Sequence, residues 1–325
     1  MRSAERGILS KCAKGRNLDD EIRRSMGYTP GAVYFVDRGA GKDGNSGESW
    51  DEALLTINEA SNKCTNYTND VIVFRGRVTG SHKFDATPIQ EINKQGVHLY
   101  GAAWLFGIGG GQDSCILPND TPTGASNGSS IPNVGVLNLG QNDIEVAGLK
   151  FFGGYSEMNT DAWMITNDDN RGINHSIHHC MFCGDVDGGA VSADGIGLIG
   201  AENCLIAHNI FRSSKYAIRL NGDSNRYSNG TIIRDNIIIG AKYGIYLDGS
   251  CAENFIEENI VIPKNIIGHD LTYGMFLGAA APGNILKKNT VYHGTKGTAY
   301  VNNSTGSVLH DCYYGTTTGA LTLFT

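Results

Sequence analysis

Beyond residue 64 the chain repeats short runs of alternating or continuous apolar residues, bounded by Gly, Asn and Asp, with no helical stretch of a dozen residues between them. One ladder reads apolar, two variable positions, Asn or Cys, one position, apolar. It recurs in SIHHCMF at 176, LIAHNIF at 205, IIRDNII at 232, FIEENIV at 255, ILKKNTV at 285 and VLHDCYY at 308. The polar position falls at Cys180, Asn209, Asn236, Asn259, Asn289 and Cys312, in steps of 29, 27, 23, 30 and 23. A second ladder runs between these rungs: GAVSADG at 189, YAIRLNG at 216, YGIYLDG at 243, YGMFLGA at 273 and GTAYVNN at 297. Its apolar positions Val191, Ile218, Ile245, Met275 and Ala299 keep the phase of the first.

Two ladders predict two strands per coil, with like strands of successive coils parallel. Parallel strands without crossover helices at this period are the mark of a solenoid. The pattern therefore predicts an all-β, single-stranded, right-handed parallel β-helix of about ten coils, about 50 Å long at ~4.8 Å per coil. The hand follows from the rule for parallel crossovers. In that register Asn236, set among isoleucines in TIIRDNIIIG, stacks with Asn209, Asn259 and Asn289, and its amide finds partners on neighbouring coils. Cys180 and Cys312 occupy the same rung and are assigned to structure with it.

The pattern divides the chain into an arm at residues 1–31 and a β-helix domain at 32–325. In the arm Asn17 is a good N-cap, acids fill the first turn, and Gly27 closes a helix of about three turns. Over about 49–64, Ser49 followed by Glu52 reads as a capping box, and Trp50, Leu54, Ile57 and Ser61 share one face of a helix that covers the first coil. At the other end GALTLFT reads as a strand whose edge nothing covers, so a further subunit or partner is expected there.

Composition narrows the function classes. A net charge of -7 with scattered acids and bases gives no footprint for nucleic acid. No apolar stretch reaches the length of a membrane span, and the N-terminus lacks the apolar core of a signal peptide. Eight cysteines in 325 residues are too sparse for a disulfide scaffold, so buried, reduced thiols are expected.

The opening VYFVDRGAGKDGNSGESWDEALLTINEASNKC, then NDVIVFRGRVTG and the Asn-centred rungs, resembles right-handed parallel β-helix proteins of the pectate-lyase-like superfamily. This superfamily includes lyases, hydrolases and virion-associated spikes and tailspikes, and its lyases hold Ca²⁺ on aspartates. The Arg-x-Pro-x-x-Arg pattern of the lyases and the Gly-His-Gly and Arg-Ile-Lys patterns of the polygalacturonases are missing here. Resemblance to virion spikes, with the arm, the uncovered end and no signal peptide, implies a structural or receptor-binding protein of a phage particle. It would be located in the virion, docked through residues 1–31, trimeric, and in contact with host surface glycans. The alternative is a polysaccharide lyase or glycoside hydrolase.

The candidate chemistry lies at the ends of the second ladder. Asp194, Asn221 and Asp248 read as one per coil, which puts the two carboxylates about 9 to 10 Å apart, at the edge of the range of an inverting glycosidase. Asp194 and Asp248 are the catalytic candidates. Arg219, Asn221, Asp223 and Tyr246 are the glycan-binding candidates, along one groove. His175, His178, His179, Cys180, Cys183 and Asp185 resemble a metal site, but strand alternation sends His179 and Cys180 to opposite sides, so no metal is assigned there. Asp168, Asp169, Asp185 and Asp187 allow Ca²⁺ if their loops converge, with no other cofactor. GIGGG at 107–111 reads as a loop.

Overall fold

The apolar-x-x-Asn-x-apolar segment is not one strand, because the residue before each Asn or Cys turns the chain. His179, His208, Asp235, Glu258, Lys288 and Asp311 all take left-handed φ, between 50° and 56°. That conformation is costly for any residue with a Cβ, and it recurs here coil after coil. Each segment therefore breaks into two strands, as in Leu205–Ala207 and Ile210–Arg212. With the second ladder this makes three strands per coil, where the sequence pattern predicts two.

The computed structural model describes residues 31–76, 90–102, 115–116, 135–153, 163–167, 172–184, 194–212, 214–262, 271–292, 296–315 and 322–323. Among the described residues three sheets run side by side, with ten, nine and eight strands. The first runs from Val33–Asp37 to Val308–His310, and its ten rungs agree with the predicted number of coils. The second carries the strands just after the Asn corner, and the third carries the Tyr-led ladder. Neighbouring coils pair in parallel register, for example Ile232↔Phe255, Ile237↔Ile260 and Tyr216↔Tyr243. The chain is a parallel β-helix.

The core is a single column inside the coils. Phe151, Phe182 and Phe211 stack at 5.0 and 4.7 Å, and Ile177, Ile206, Ile233 and Ile256 form a second fully buried row. Burying each such side chain contributes roughly 1.5–3 kcal/mol. The amide ladder joins this column. The Asn209 backbone N–H donates to Asn236 Oδ1 at 3.0 Å, and Asn259 donates from its backbone and side chain to Asn289 Oδ1, both at 3.0 Å. A second ladder, which the pattern did not show, links Cys204, Thr231, Asn254, Asn284 and Ser307 at the preceding corner.

The first coil is capped by a helix shorter than expected. It spans Ile57–Lys63 and is N-capped by Thr56, whose hydroxyl accepts the Glu59 N–H at 3.2 Å. Ser49 does accept the Glu52 N–H, but this closes a turn in a loop, not a helix. In that loop Trp50 packs on the outer face, 4.8 Å from the Phe35 ring, while Arg75 covers it and pairs with Asp37. Ile57 and Ala60 close the end of the core. At the far end Thr322–Leu323 does not continue the solenoid; it turns back and pairs antiparallel with Tyr313–Tyr314. The arm helix, GIGGG, and Asp168, Asp169, Asp185 and Asp187 lie outside the described residues. Among the described residues, no helix is long and apolar enough to cross a membrane.

Candidate functional site

The Tyr-led segments place their aromatic rings outward because the next residue must be small. At Gly244 a Cβ would stand 2.3 Å from the Gly274 carbonyl oxygen and 3.1 Å from Val261, so this position faces the crowded interior. Tyr216, Tyr243 and Tyr273 therefore stand in register on the outer face of the third sheet. Their ring centroids are 4.5 and 5.8 Å apart along the column.

A second column lies beside it. Arg219, Tyr246 and Phe276 are in register, and the Tyr246 and Phe276 rings stack at 4.3 Å. Tyr246 meets Tyr216 and Tyr243 edge-on, at 5.3 and 5.5 Å. The Arg219 guanidinium lies 5.1 Å from the Tyr216 ring and 5.6 Å from the Tyr246 ring, and Lys215 and Lys242 flank Tyr216 and Tyr243. All five rings are half-buried. Burial, followed by the nearby Asp248 carboxylate, pushes the Tyr246 phenol up to about 12, so it remains a hydrogen-bond donor at neutral pH. Asp248 accepts the Gly249 N–H at 2.9 Å and lies 3.7 Å from Arg219. Asn221 is its register partner on the neighbouring coil.

The expected carboxylate pair does not form. Ile196 pairs with Ile218, so Asp194 begins its strand at the level of Tyr216, while Asp248 is level with Asn221, five residues further along. That offset is roughly 16 Å along the strand at ~3.3 Å per residue. The sequence pattern matches Val191 to Ile218, whereas in the structure Ile196 takes that place. Asp194 is buried, and its Oδ1 accepts the Tyr216 N–H at 2.7 Å. Asp223 also stands apart, accepting the N–H groups of Asn225 and Arg226 in its own turn and pairing with the Arg226 side chain. Of the predicted residues, Arg219, Asn221, Tyr246 and Asp248 come together. Tyr216, Tyr243, Tyr273 and Phe276 were missed, although a Tyr opening three successive second-ladder segments is the signal for them.

A polar cluster occupies a different place, on the first sheet and its corner. Glu145 accepts from His178 Nε2 and His98 Nδ1, both at 2.7 Å, and from the Tyr100 hydroxyl at 2.6 Å. Burial alone would raise this carboxyl, but the three hydrogen bonds outweigh it and hold Glu145 far below the usual carboxylate range. His178 Nδ1 and His179 Nδ1 are 2.8 Å apart, and the His208 ring lies 5.0 Å from that of His179. Buried His175 bonds the Ile144 N–H, away from this cluster. The thiols of Cys180, Cys204 and Cys251 lie in the core, and burial pushes each up to about 12. Among the described residues, no three His, Cys, Asp or Glu side chains gather to hold a metal ion. An open recess near the C-terminal end of the first sheet, lined by Phe255, Glu257, Ile285, Lys287, His310 and Asp311, contains none of the predicted site residues.

Comparison with solved structures finds the GH136 lacto-N-biosidase from Eubacterium ramulus at 13% identity, covering 89% of this chain and 68% of that one, with a TM-score of 0.36. XylC in complex with xylose matches at 8% identity over 87% of this chain and 84% of that one, with a TM-score of 0.36. A rhamnogalacturonan lyase matches at 12% identity over 87% of each chain, again with a TM-score of 0.36. Scores this low carry no functional argument, and the fold rests on the three parallel sheets. No curated protein sequence matches the chain. Residues 156–321 match the family described as periplasmic copper-binding protein (NosD). A family described as periplasmic overturns the expected virion localisation. The match spans just over half of the chain, and the protein belongs to the NosD family of β-helix proteins.

Proposed function

We propose that the protein binds an extended carbohydrate chain along the outer face of its third sheet. The observation that carries this reading is the pair of aromatic columns, Tyr216–Tyr243–Tyr273 and Tyr246–Phe276, with Arg219 inserted between them. Rings stacked on successive rungs turn their edges and phenol hydroxyls outward, at ~4.8 Å steps close to the spacing of successive sugar units. Arg219 is buried behind the rings and pairs with Asp248, while Lys215 and Lys242 add positive charge to the face, which favours an anionic glycan.

Binding is favoured over hydrolysis. A glycosidase needs two carboxyl groups across one bond, and here Asp248 stands without Asp194, which is buried and engaged with the Tyr216 N–H. Tyr246, with its phenol pushed up to about 12, does not serve as a base for β-elimination at neutral pH. The family description names copper, but among the described residues no three His, Cys, Asp or Glu side chains gather to hold a metal ion, and no step of glycan binding runs through one.

The test is affinity electrophoresis through gels containing neutral or acidic polysaccharides. The reading predicts retardation by at least one acidic polysaccharide, weakening as salt is raised. Equal mobility in every gel would discard it.

A further inference from the structure

We infer that the outer face of the first sheet, over its last five rungs, is an interface between two copies of this chain, packed face to face with antiparallel axes. It lies apart from the aromatic columns of the third sheet, so it does not depend on carbohydrate binding. Leu205, Ile232, Phe255, Ile285 and Val308 stand there in register as one apolar row. Ile232, Phe255 and Val308 are 37%, 46% and 44% exposed. Nearer the N-terminal end the chain covers this face itself: Val33, Val71 and Tyr100 are buried in a cluster with Trp50 packed against it, and Glu145 bonds His98 and His178. The second sheet carries a similar exposed row, Ile210, Ile237 and Ile260, but the column beside it, Arg212, Ile239 and Ile262, offers no charge pattern that names a partner.

Beside the apolar row runs a polar column, Arg234, Glu257, Lys287 and His310, again in register. The signs of its first three members alternate, and Glu258 and Lys288 repeat the middle pair at the adjoining corner. Opposite charges on neighbouring rungs make the face complementary to itself turned end for end. A twofold axis along the strands, midway between the Phe255 and Ile285 rungs, sets Glu257 on the partner's Lys287 and Glu258 on the partner's Lys288, each pair twice. It also sets Phe255 on the partner's Ile285 and Ile232 on the partner's Val308, so apolar meets apolar. The open recess bounded by Phe255, Ile285, Lys287 and His310 lies at this axis and receives the partner's Phe255 ring. At the outer rungs Arg234 and Asp235 meet the partner's His310 and Asp311, and the arginine offsets the facing carboxylates. Moving the axis half a rung would set Glu257 or Lys287 against itself. Parallel packing about the apolar row would carry the two charged columns to opposite sides, unpaired. Five rungs ~4.8 Å apart make a strip about 20 Å long, which suits a weak dimer and not an obligate one.

The test is analytical ultracentrifugation of the full chain over a concentration series reaching roughly millimolar. A reversible equilibrium between monomer and dimer is expected. Phe255→Asp should abolish the dimer with the thermal midpoint unchanged, while Ile237→Asp on the second sheet should leave the dimer intact. Glu257→Lys and Lys287→Glu should each weaken association at least tenfold. Mixing these two variants should restore it, because each then offers the other the opposite charge at both pairs. Charges paired only within one chain gain nothing from mixing, and the mixture still decides the matter if Phe255→Asp fails to fold. A parent that stays monomeric or associates beyond two, a dimer that survives Phe255→Asp, or a mixture no more associated than its components would overturn the assignment.

Discussion

Asn236 Nδ2 donates to Asn259 Oδ1 at 2.9 Å, and the same oxygen accepts the Asn236 backbone N–H at 3.1 Å. Asn236 Nδ2 also donates to the Ile206 carbonyl at 2.9 Å, while its own Oδ1 accepts both N–H groups offered by Asn209. The amide is fully used at zero exposure. Asn236→Ala leaves buried donors on Asn209 and a buried carbonyl on Ile206 without these partners, and should cost about 2–4 kcal/mol in urea denaturation.

The small residue after each ladder Tyr is predicted to be equally strict. Gly274→Ala brings a Cβ to 2.3 Å from Val291 Cγ1, and Gly244→Ala brings one to the same distance from a carbonyl oxygen. Each should cost more than about 2 kcal/mol through overpacking, measured by thermal unfolding. Gly44→Ala, where a Cβ meets nothing within 4 Å, should stay within about 0.5 kcal/mol of the parent.

Legibility in the sequence follows from what repeats. The coil count and the Asn ladder could be read because every coil must bury the same face and satisfy the same amide. The third strand per coil could not, because the break is made by backbone φ at His208, Asp235 or Glu258, positions occupied by unlike side chains. The hydrogen-bonding ladder at the preceding corner mixes Thr231, Asn254 and Ser307, which share hydrogen-bonding capacity but no single residue type. Asp194 was misplaced because GAVSADGIGLI offers two apolar registers, and the structure selects the one that sets Gly195 against Phe211. Arg219 and Tyr246 could be read as outward-facing from simple alternation. The Glu145 cluster could not, since its members come from three strands and two corners far apart in sequence.

His175 should make stability depend on pH. Burial lowers its imidazole from the model-peptide value of 6.5 to about 4, against a smaller raising pull from Asp143. The folded state holds it neutral, so its contribution is complete above pH 6.5 and is lost as pH falls toward about 4. The full loss is roughly 3 kcal/mol. Unfolding free energy measured between pH 7 and 4 should fall less steeply in His175→Met than in the parent. Identical slopes would assign the pH dependence elsewhere.

Asp194 is predicted to be structural. Asp194→Ala removes the acceptor of the Tyr216 N–H at a buried position, and should cost about 1–3 kcal/mol in unfolding while leaving carbohydrate affinity within twofold.

The most direct measurement of the central claim is calorimetric titration of a retained acidic oligosaccharide into the parent, Tyr243→Ala and Tyr246→Ala. The account predicts that each variant keeps its thermal midpoint within a few degrees and binds at least tenfold more weakly, a loss of about 1.4 kcal/mol per ring. Equal affinity in all three proteins would contradict a binding face built on these two columns.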